Sequence, residues 1–368
     1  MDFEWNEPQR ALHARMRALG AEVSRLPQDE RLARLAREGV LGLPIAADRG
    51  GGGFDLCATA YAYEALGATL DDGGVLLAAG AHLFGVVLPL EKVGTPAQRA
   101  EWIPKLASGA AVATIAATES RAGSDVASIE TTVERRGDRM RIRGAKCYVT
   151  NADRSDLFLA LAADTAGAGV TALLVPRTAA GLTVGAPLPT AGLAGARLAE
   201  VRFDDVEVGE DAVVGRVGGG RTIFQIAMTY ERALVLAFRV GAMARAVDEA
   251  VRFARERRIG GEPIARHQAV SHRIARMKLR LETSRLLLYK TAWQLDRGER
   301  GQVEAALTKW QVAEAALATA LDAYSLRGGA AFLEPAGLAG QVDDTLGATI
   351  HSGTQDVLAG IVARWLGL

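Results

Sequence analysis

The sequence predicts an α+β protein of three parts: a helical N-terminal domain (residues 1–112), a middle β-barrel or sandwich (113–215) and a C-terminal four-helix bundle (216–368). Three observations predict it. Apolar residues recur at three- and four-residue spacing in the first part. Short β-rich runs divided by turn signals fill the second. Long helical segments with short breaks, the loop lengths of an antiparallel bundle, fill the third.

Helical periodicity in the first part covers residues 7–26, 29–38 and 58–68, with a further amphipathic turn or two at 96–106. Breakers lie between them: Leu43-Pro44, the cluster Gly50 to Gly53, and Gly73-Gly74. The glycine cluster follows no strand and lacks the Gly-Lys-Ser/Thr ending of a phosphate loop, so it reads as an ordinary loop. Strands are expected at 112–115, 140–143, 148–150, 157–162, 170–175, 182–184 and 198–206. Turns at Arg136-Gly137-Asp138, Arg143-Gly144 and Ala180-Gly181 separate them, a spacing that suits a small barrel or sandwich. Beyond Arg221 the helical segments are 222–256, 268–296, 303–326 and a shorter 359–366, broken at Gly260-Gly261, Arg297-Gly298 and Gly328-Gly329.

Composition narrows the function by exclusion. Hydrophobic residues make up 49% and charged residues 23%, and the formal net charge is zero. No basic excess points to nucleic acid or an anionic membrane. Cys57 and Cys147 form neither a disulfide framework nor a metal-ligand spacing. The N-terminus has no signal-peptide core, and no uninterrupted apolar run approaches the roughly 20 residues of a membrane span. The expectation is a soluble, cytoplasmic protein with no metal, nucleic-acid or membrane partner.

One anomaly stands out. The segment 222–246 is apolar on nearly every face, as a buried helix would be, yet Glu231 and Arg232 sit side by side in its middle. Burying a carboxylate costs several kcal/mol unless something offsets it. Two readings stay open from these residues alone: structural ion pairs with partners elsewhere, or a general base whose proton affinity burial has raised.

The run Ala117-Thr118-Glu119-Ser120-Arg121-Ala122-Gly123-Ser124-Asp125, followed by Gly144-Ala145-Lys146-Cys147-Tyr148-Val149-Thr150-Asn151, resembles the flavin-binding middle domain of the acyl-CoA dehydrogenases. Arg257-Arg258, Pro263-Ile264, His267-Gln268, Asp322-Ala323, Gly328-Gly329 and Ile350-His351-Ser352-Gly353-Thr354 follow in the family's order, so the likeness covers essentially the whole chain. The C-terminal half, in 268–275, 277–282 and 350–354, looks most like family members that oxidise prolyl or other aminoacyl groups on peptidyl carrier proteins. The resemblance implies FAD as cofactor and removal of two hydrogens across the α and β carbons of an acyl or aminoacyl thioester. It implies a substrate carried by coenzyme A or by a carrier protein. An electron-accepting flavoprotein or oxygen would take the electrons, in a homo-oligomer, tetramer or dimer. Such chemistry needs a base in a dry pocket and hydrogen-bond donors on the thioester carbonyl.

The resemblance also assigns roles. Most members carry the base in the turn before the last helix, immediately before Gly-Thr. Here that position is Ser352, whose hydroxyl is far too weak a base. A minority place it on the first bundle helix beside an arginine, the site that Glu231 and Arg232 match, with Arg232 steadying the carboxylate. Thr118, Gly123 and Ser124 are expected to border the isoalloxazine and pyrophosphate, Tyr148 to pack beside the flavin ring, and Thr150 to meet its N5 edge. Arg257 is expected to reach the diphosphate of FAD in a neighbouring subunit, with Gln268 and Gly329 in the same inter-subunit wall and Thr354 near the adenosine or ribityl side. Taken singly, each reads equally as a turn glycine, a capping hydroxyl or a surface arginine. Departures fall on the adenine side: Gly260-Gly261 in place of Phe-Gly, Ile259 for a polar residue, Ser325 for a glutamine, Asp343 for an arginine, and Ala330-Ala331 for a glycine turn. Losing an aromatic wall there removes on the order of 1–3 kcal/mol of buried contact. Two alternatives remain: a flavoprotein that diverts the α-carbanion to isomerisation or ring closure, and a degenerate partner subunit of a hetero-oligomer.

Overall fold

Side-chain caps start several helices of the N-terminal part in the computed structural model, which describes residues 4–333 and 337–368. Asn6 and Gln9 close a reciprocal cap on α1 (Glu7–Val23), Asp55 caps α3 (Leu56–Gly67), and Thr95 with Gln98 caps α6 (Pro96–Ala107). Between α1 and α3 lies α2 (Gln28–Arg37), its buried Leu32 and Leu35 facing the core.

Between α3 and α6 the chain departs from the sequence expectation. Gly73-Gly74 does not break a helix. It begins one, because the Asp72 side chain accepts the Val75 N–H at 3.0 Å and caps it. Helix α4 (Gly73–His82), a π-helical turn (Leu83–Val87) and α5 (Leu88–Val93) then run on continuously. This 21-residue rod is apolar and long enough to cross a membrane by length and composition, which overturns the expectation that no such run exists. Its apolar window is wholly buried inside the protein, and a helix surrounded by core has no polar face to show periodicity.

At the rod's midpoint, fully buried His82 bonds through Nε2 to the Leu106 carbonyl at 3.1 Å. Its Nδ1 accepts the Ala113 N–H at 2.9 Å. That joins the rod to α6 and to the first strand with a neutral ring. Burial lowers the imidazole pKa from 6.5 to about 4. The unfolded chain therefore binds a proton in that window which the folded chain refuses. Stability is expected to fall as pH drops from about 6.5 to about 4. Urea unfolding at several pH values checks this, and His82→Gln should flatten that part of the decline.

The middle part is a curved seven-stranded sheet in the order β1-β4-β2-β3-β7-β6, with β5 paired to β4. Its strands are β1 (Ala113–Ala116), β2 (Thr132–Arg136), β3 (Arg139–Val149), β4 (Leu157–Asp164), β5 (Val170–Pro176), β6 (Leu182–Val184) and β7 (Ala199–Gly209). Two points differ from expectation. Strand β2 is added, and of its five residues only Val133 is buried, so the run offered almost no apolar signal. Arg143-Gly144 is no turn either: β3 runs through it, with a register shift against β7 between Ile142 and Gly144. Inward residues such as Met140, Ile142, Phe158, Leu173 and Phe203 form a separate core inside the curved sheet.

The C-terminal part is helical, and α10 (Gln302–Arg327) is its axis, packed by α7 (Gly220–Leu234), α8 (Ala237–Glu256), α9 (Gln268–Asp296), α11 (Leu338–Ala348) and α12 (Gln355–Trp365). The expected first helix is two, broken at Val235 and Leu236. Both are buried, so the apolar pattern continues across the break with no glycine or proline to mark it. Helix α11 was not anticipated. Between α8 and α9, Arg258–Ile259 pairs with Glu262–Pro263 (β8 and β9) through a two-residue turn. Gly260 and Gly261 both have positive φ there, 61° and 88°. A tight hairpin turn of that kind asks for glycine at both positions, a backbone reason for the Gly-Gly departure.

Candidate functional site

Glu231 lies three residues before the end of α7, 7% exposed, where α7 meets the π-helical turn. Its Oε1 accepts the Ser352 hydroxyl at 2.5 Å, while Oε2 is buried with no hydrogen-bond partner. A Cβ added at Gly85, in the π-helical turn, would stand 3.3 Å from that free oxygen and 3.9 Å from the Cγ2 of Ile115 on β1. With no side chain at Gly85, no Cβ crowds Oε2 from the π-helical turn, and π-turns inside helices recur at functional sites. Burial raises the Glu231 pKa above the carboxylate range, against the Ser352 hydrogen bond and the nearby charges of Arg232 and Lys309. A proton acceptor of raised affinity, with one oxygen held and one bare, is what abstraction from a weak carbon acid requires.

Three further groups surround the carboxylate. Arg232 forms no ion pair with Glu231 among the described residues; its Nε donates to the Ser352 carbonyl at 2.8 Å. It therefore meets the carboxylate by hydrogen bonding only through Ser352, while its charge favours the ionised form from nearby. Lys309 on α10 is fully buried, and its Nζ donates to the Gly353 carbonyl at 2.7 Å. Burial and the Arg232 charge lower the ammonium pKa to about 8, opposed by Glu231. The His351 Nδ1 lies 3.1 Å from the Ser352 hydroxyl, and burial, with the charges of Lys309 and Arg239, pushes the imidazole down to about 3, so it is neutral. Sequence reasoning had named Glu231 and Arg232 but gave Ser352 no part, and it missed Lys309, His351 and Gly85. A lysine in the alanine-rich α10 was the one available signal; Gly85 offered none.

The expected flavin-side residues divide into two sets. In the first, the Cys147 N–H bonds the Thr118 carbonyl at 2.9 Å, tying the 117–131 loop to the end of β3. A Cβ added at Gly123 would meet only the Thr118 Cγ2, at 3.9 Å, and Ser124 is exposed beside it. Tyr148 is 62% exposed at a positive φ of 56°, its ring uncovered, and the Thr150 carbonyl accepts the Thr114 hydroxyl at 2.5 Å. Thr114 precedes Ile115 on β1, so that strand links this set to Glu231. Beneath them Glu119 accepts from Lys146 at 2.7 Å and from the Glu130 and Thr131 N–H groups at 2.6 and 2.9 Å, a fully hydrogen-bonded buried lock. An uncovered aromatic ring beside an open loop of small and hydroxyl residues fits a large planar cofactor with a phosphate tail.

The second set is not gathered there within one chain. Arg257 and Gln268 are exposed, and neither side chain has a hydrogen-bond partner among the described residues; Gly329 is exposed too. Thr354 caps α12, accepting from the Val357 N–H at 3.5 Å, which is its ordinary structural use. Of the altered positions, Ser325 receives Arg273 at 2.7 Å, while the Asp343 backbone lies against Gly192.

Comparison with known proteins adds to this geometry. Residues 9–110, 114–206 and 218–367 match the families described as acyl-CoA dehydrogenase N-terminal, middle and C-terminal domains. The chain is 38% identical to the L-prolyl-[peptidyl-carrier protein] dehydrogenase of Pseudomonas fluorescens, over all of both chains. A solved structure described as an FAD-dependent dehydrogenase superposes with a TM-score of 0.96 at 35% identity, covering all of both chains. Another, described as PigA with FAD and proline, superposes at 0.95 and 31%, again over the full length of both.

Proposed function

Since the chain belongs to the acyl-CoA dehydrogenase family of FAD-dependent acyl-thioester oxidoreductases, we propose that it dehydrogenates a prolyl or related aminoacyl thioester borne by a carrier protein. The free, buried Oε2 of Glu231 carries the reading: the α-proton leaves carbon for that oxygen. Bound FAD supplies the acceptor for the hydride from the β-carbon. Thr118, Gly123, Ser124, Tyr148 and Thr150 are proposed to hold the cofactor in this chain. With the division proposed at residues 1–112, 113–215 and 216–368, the base and the proposed flavin site would fall on different units, with the reacting carbons between them.

The substrate class rests on the relatives' stated activities rather than on pocket shape. Carrier protein and coenzyme A present the same pantetheine arm, so an acyl-CoA substrate is the second reading. Mixing the protein with prolyl-loaded carrier and with acyl-CoA, scored by loss of two hydrogens in mass, separates the two. A homo-oligomer is part of the proposal. Leu279, Leu286, Leu321, Ile350 and Trp365 stand 48–68% exposed on the C-terminal part, and such patches mark association surfaces. Arg257 and Gln268, exposed and without side-chain hydrogen-bond partners among the described residues, are proposed to meet a neighbour's FAD, and the cytoplasm is the proposed compartment. Electrons leave to a flavoprotein or to oxygen.

The space over Gly85 gives a direct test of where the substrate sits. Gly85→Ala puts a methyl 3.3 Å from Oε2, tighter than an ordinary contact, without changing any charge. Turnover of prolyl thioester is expected to fall about ten- to a hundredfold while FAD content and melting temperature stay near wild type. Steady-state kinetics with cofactor absorbance check it, and unchanged turnover would place the reacting carbons elsewhere.

A further inference from the structure

The turn at residues 351–354 does work that neither the family position nor the base assignment describes. Ser352 has a left-handed backbone, φ 58°. Two cations from different helices grip consecutive carbonyls around it: Arg232 of α7 holds the Ser352 carbonyl at 2.8 Å, and Lys309 of α10 holds the Gly353 carbonyl at 2.7 Å. Held in this way, the Ser352 hydroxyl reaches the Glu231 Oε1 at 2.5 Å. A buried lysine and a half-buried arginine on neutral carbonyls are costly unless the hydrogen bonds are good ones, so this clamp is a built feature.

We propose that Ser352, clamped by Lys309 and Arg232, is a positioning residue for Glu231: its hydroxyl occupies Oε1, so that the carboxylate presents Oε2, over Gly85, as the only oxygen open to the substrate. This rests on the reading of Glu231 as base. In the proton transfer the α C–H bond breaks and an O–H bond forms at Oε2. The Ser352 hydroxyl keeps its own proton and bonds the carboxyl throughout. A neutral His351 that donates from Nδ1 to the Ser352 oxygen completes the chain, since that oxygen has already given its proton to Oε1. The groups facing the carboxylate are thus Arg232 from its own helix, Lys309 from α10, and Ser352 and His351 from the turn. The π-helical turn presents only Gly85.

Ser352→Gly tests this in the holoenzyme, because glycine adopts the left-handed backbone freely, so the hydroxyl is lost with its β-carbon and without backbone strain. The Glu231 carboxyl is titrated by difference infrared spectroscopy against Glu231→Gln, which needs no substrate. Turnover is measured on prolyl-loaded peptidyl carrier protein. A hydroxyl that donates to the carboxylate favours the charged form, so its loss is expected to raise the Glu231 midpoint by about one unit. It is expected to lower kcat about tenfold with KM and FAD content unchanged. Lys309→Met, which frees the Gly353 carbonyl, should move both quantities in the same direction. An unmoved midpoint and kcat in Ser352→Gly overturn the inference. If Glu231→Gln also keeps wild-type turnover, the base assignment itself has failed; if only Ser352→Gly is silent, the positioning role alone is lost.

Discussion

Glu231→Gln is expected to keep the fold and its FAD and to lose prolyl-thioester dehydrogenation by about a thousandfold or more. Glutamine has the shape of glutamate, and its amide oxygen still accepts the Ser352 hydroxyl, so the clamp around the turn survives. The carboxamide cannot take a proton at the site where Oε2 stands bare. Proton abstraction by a placed base contributes about 10² to 10⁴ in rate. The upper half of that range is expected here, because the site excludes the water that would substitute. Removing a buried carboxylate also relieves a desolvation cost, so the variant should melt no lower than wild type. Turnover scored by mass loss, with flavin absorbance and a melting curve on the same preparation, separates lost chemistry from lost folding.

The second large effect is on stability. Glu119→Ala removes the anion from a pair in which Lys146 is wholly buried, leaving that ammonium with only the Ala117 carbonyl at 3.1 Å. It also orphans the Glu130 and Thr131 N–H groups. Breaking one side of a buried, hydrogen-bonded ion pair costs about 3–5 kcal/mol, and urea unfolding should show a loss of that order. FAD retention should drop as well, because the same carboxylate pins the loop that carries Thr118, Gly123 and Ser124. The pH dependence has a definite sign. Burial would raise the Glu119 pKa, but the hydrogen bonds from Lys146 and from the Glu130 and Thr131 backbone N–H groups overcome it and hold the carboxyl below its usual 4.5. A depressed carboxyl stabilises the fold above its unfolded pKa and ceases to do so as pH falls through the folded value. The gap between wild type and Glu119→Ala should therefore be full at neutral pH and close below about 4.5.

How much of this was legible in the sequence depended on whether a residue's role shows in a local pattern. Helices with one wet face, such as α1, α2 and α6, read directly from their spacing. The rod Gly73–Val93 did not, because a segment buried on every side has no period to detect and its opening glycines look like a turn. Strand β2 was hidden for the opposite reason: it lies inside the sheet between β4 and β3, yet three of its five residues are charged and only Val133 is buried. The same contrast governs the site. Glu231 was visible because a carboxylate amid apolar neighbours is locally anomalous. Ser352 and Lys309 were not, since a serine in a turn and a lysine in a helix are ordinary until the fold brings them to one carboxylate across 121 and 78 positions of chain. The residues proposed to reach a neighbouring subunit, Arg257 and Gln268, could be named only through the family resemblance.

The proposed proton transfer depends on one oxygen atom, the Oε2 of Glu231. A crystal structure of the protein with FAD and an unreactive prolyl-pantetheine amide, in which nitrogen replaces the thioester sulfur, tests it most directly. The prediction is that the substrate α-carbon lies within about 3.5 Å of Glu231 Oε2, over Gly85, with the Ser352 hydroxyl still on Oε1. An α-carbon sited more than about 8 Å from that carboxylate, or nearer to some other proton acceptor, would contradict it.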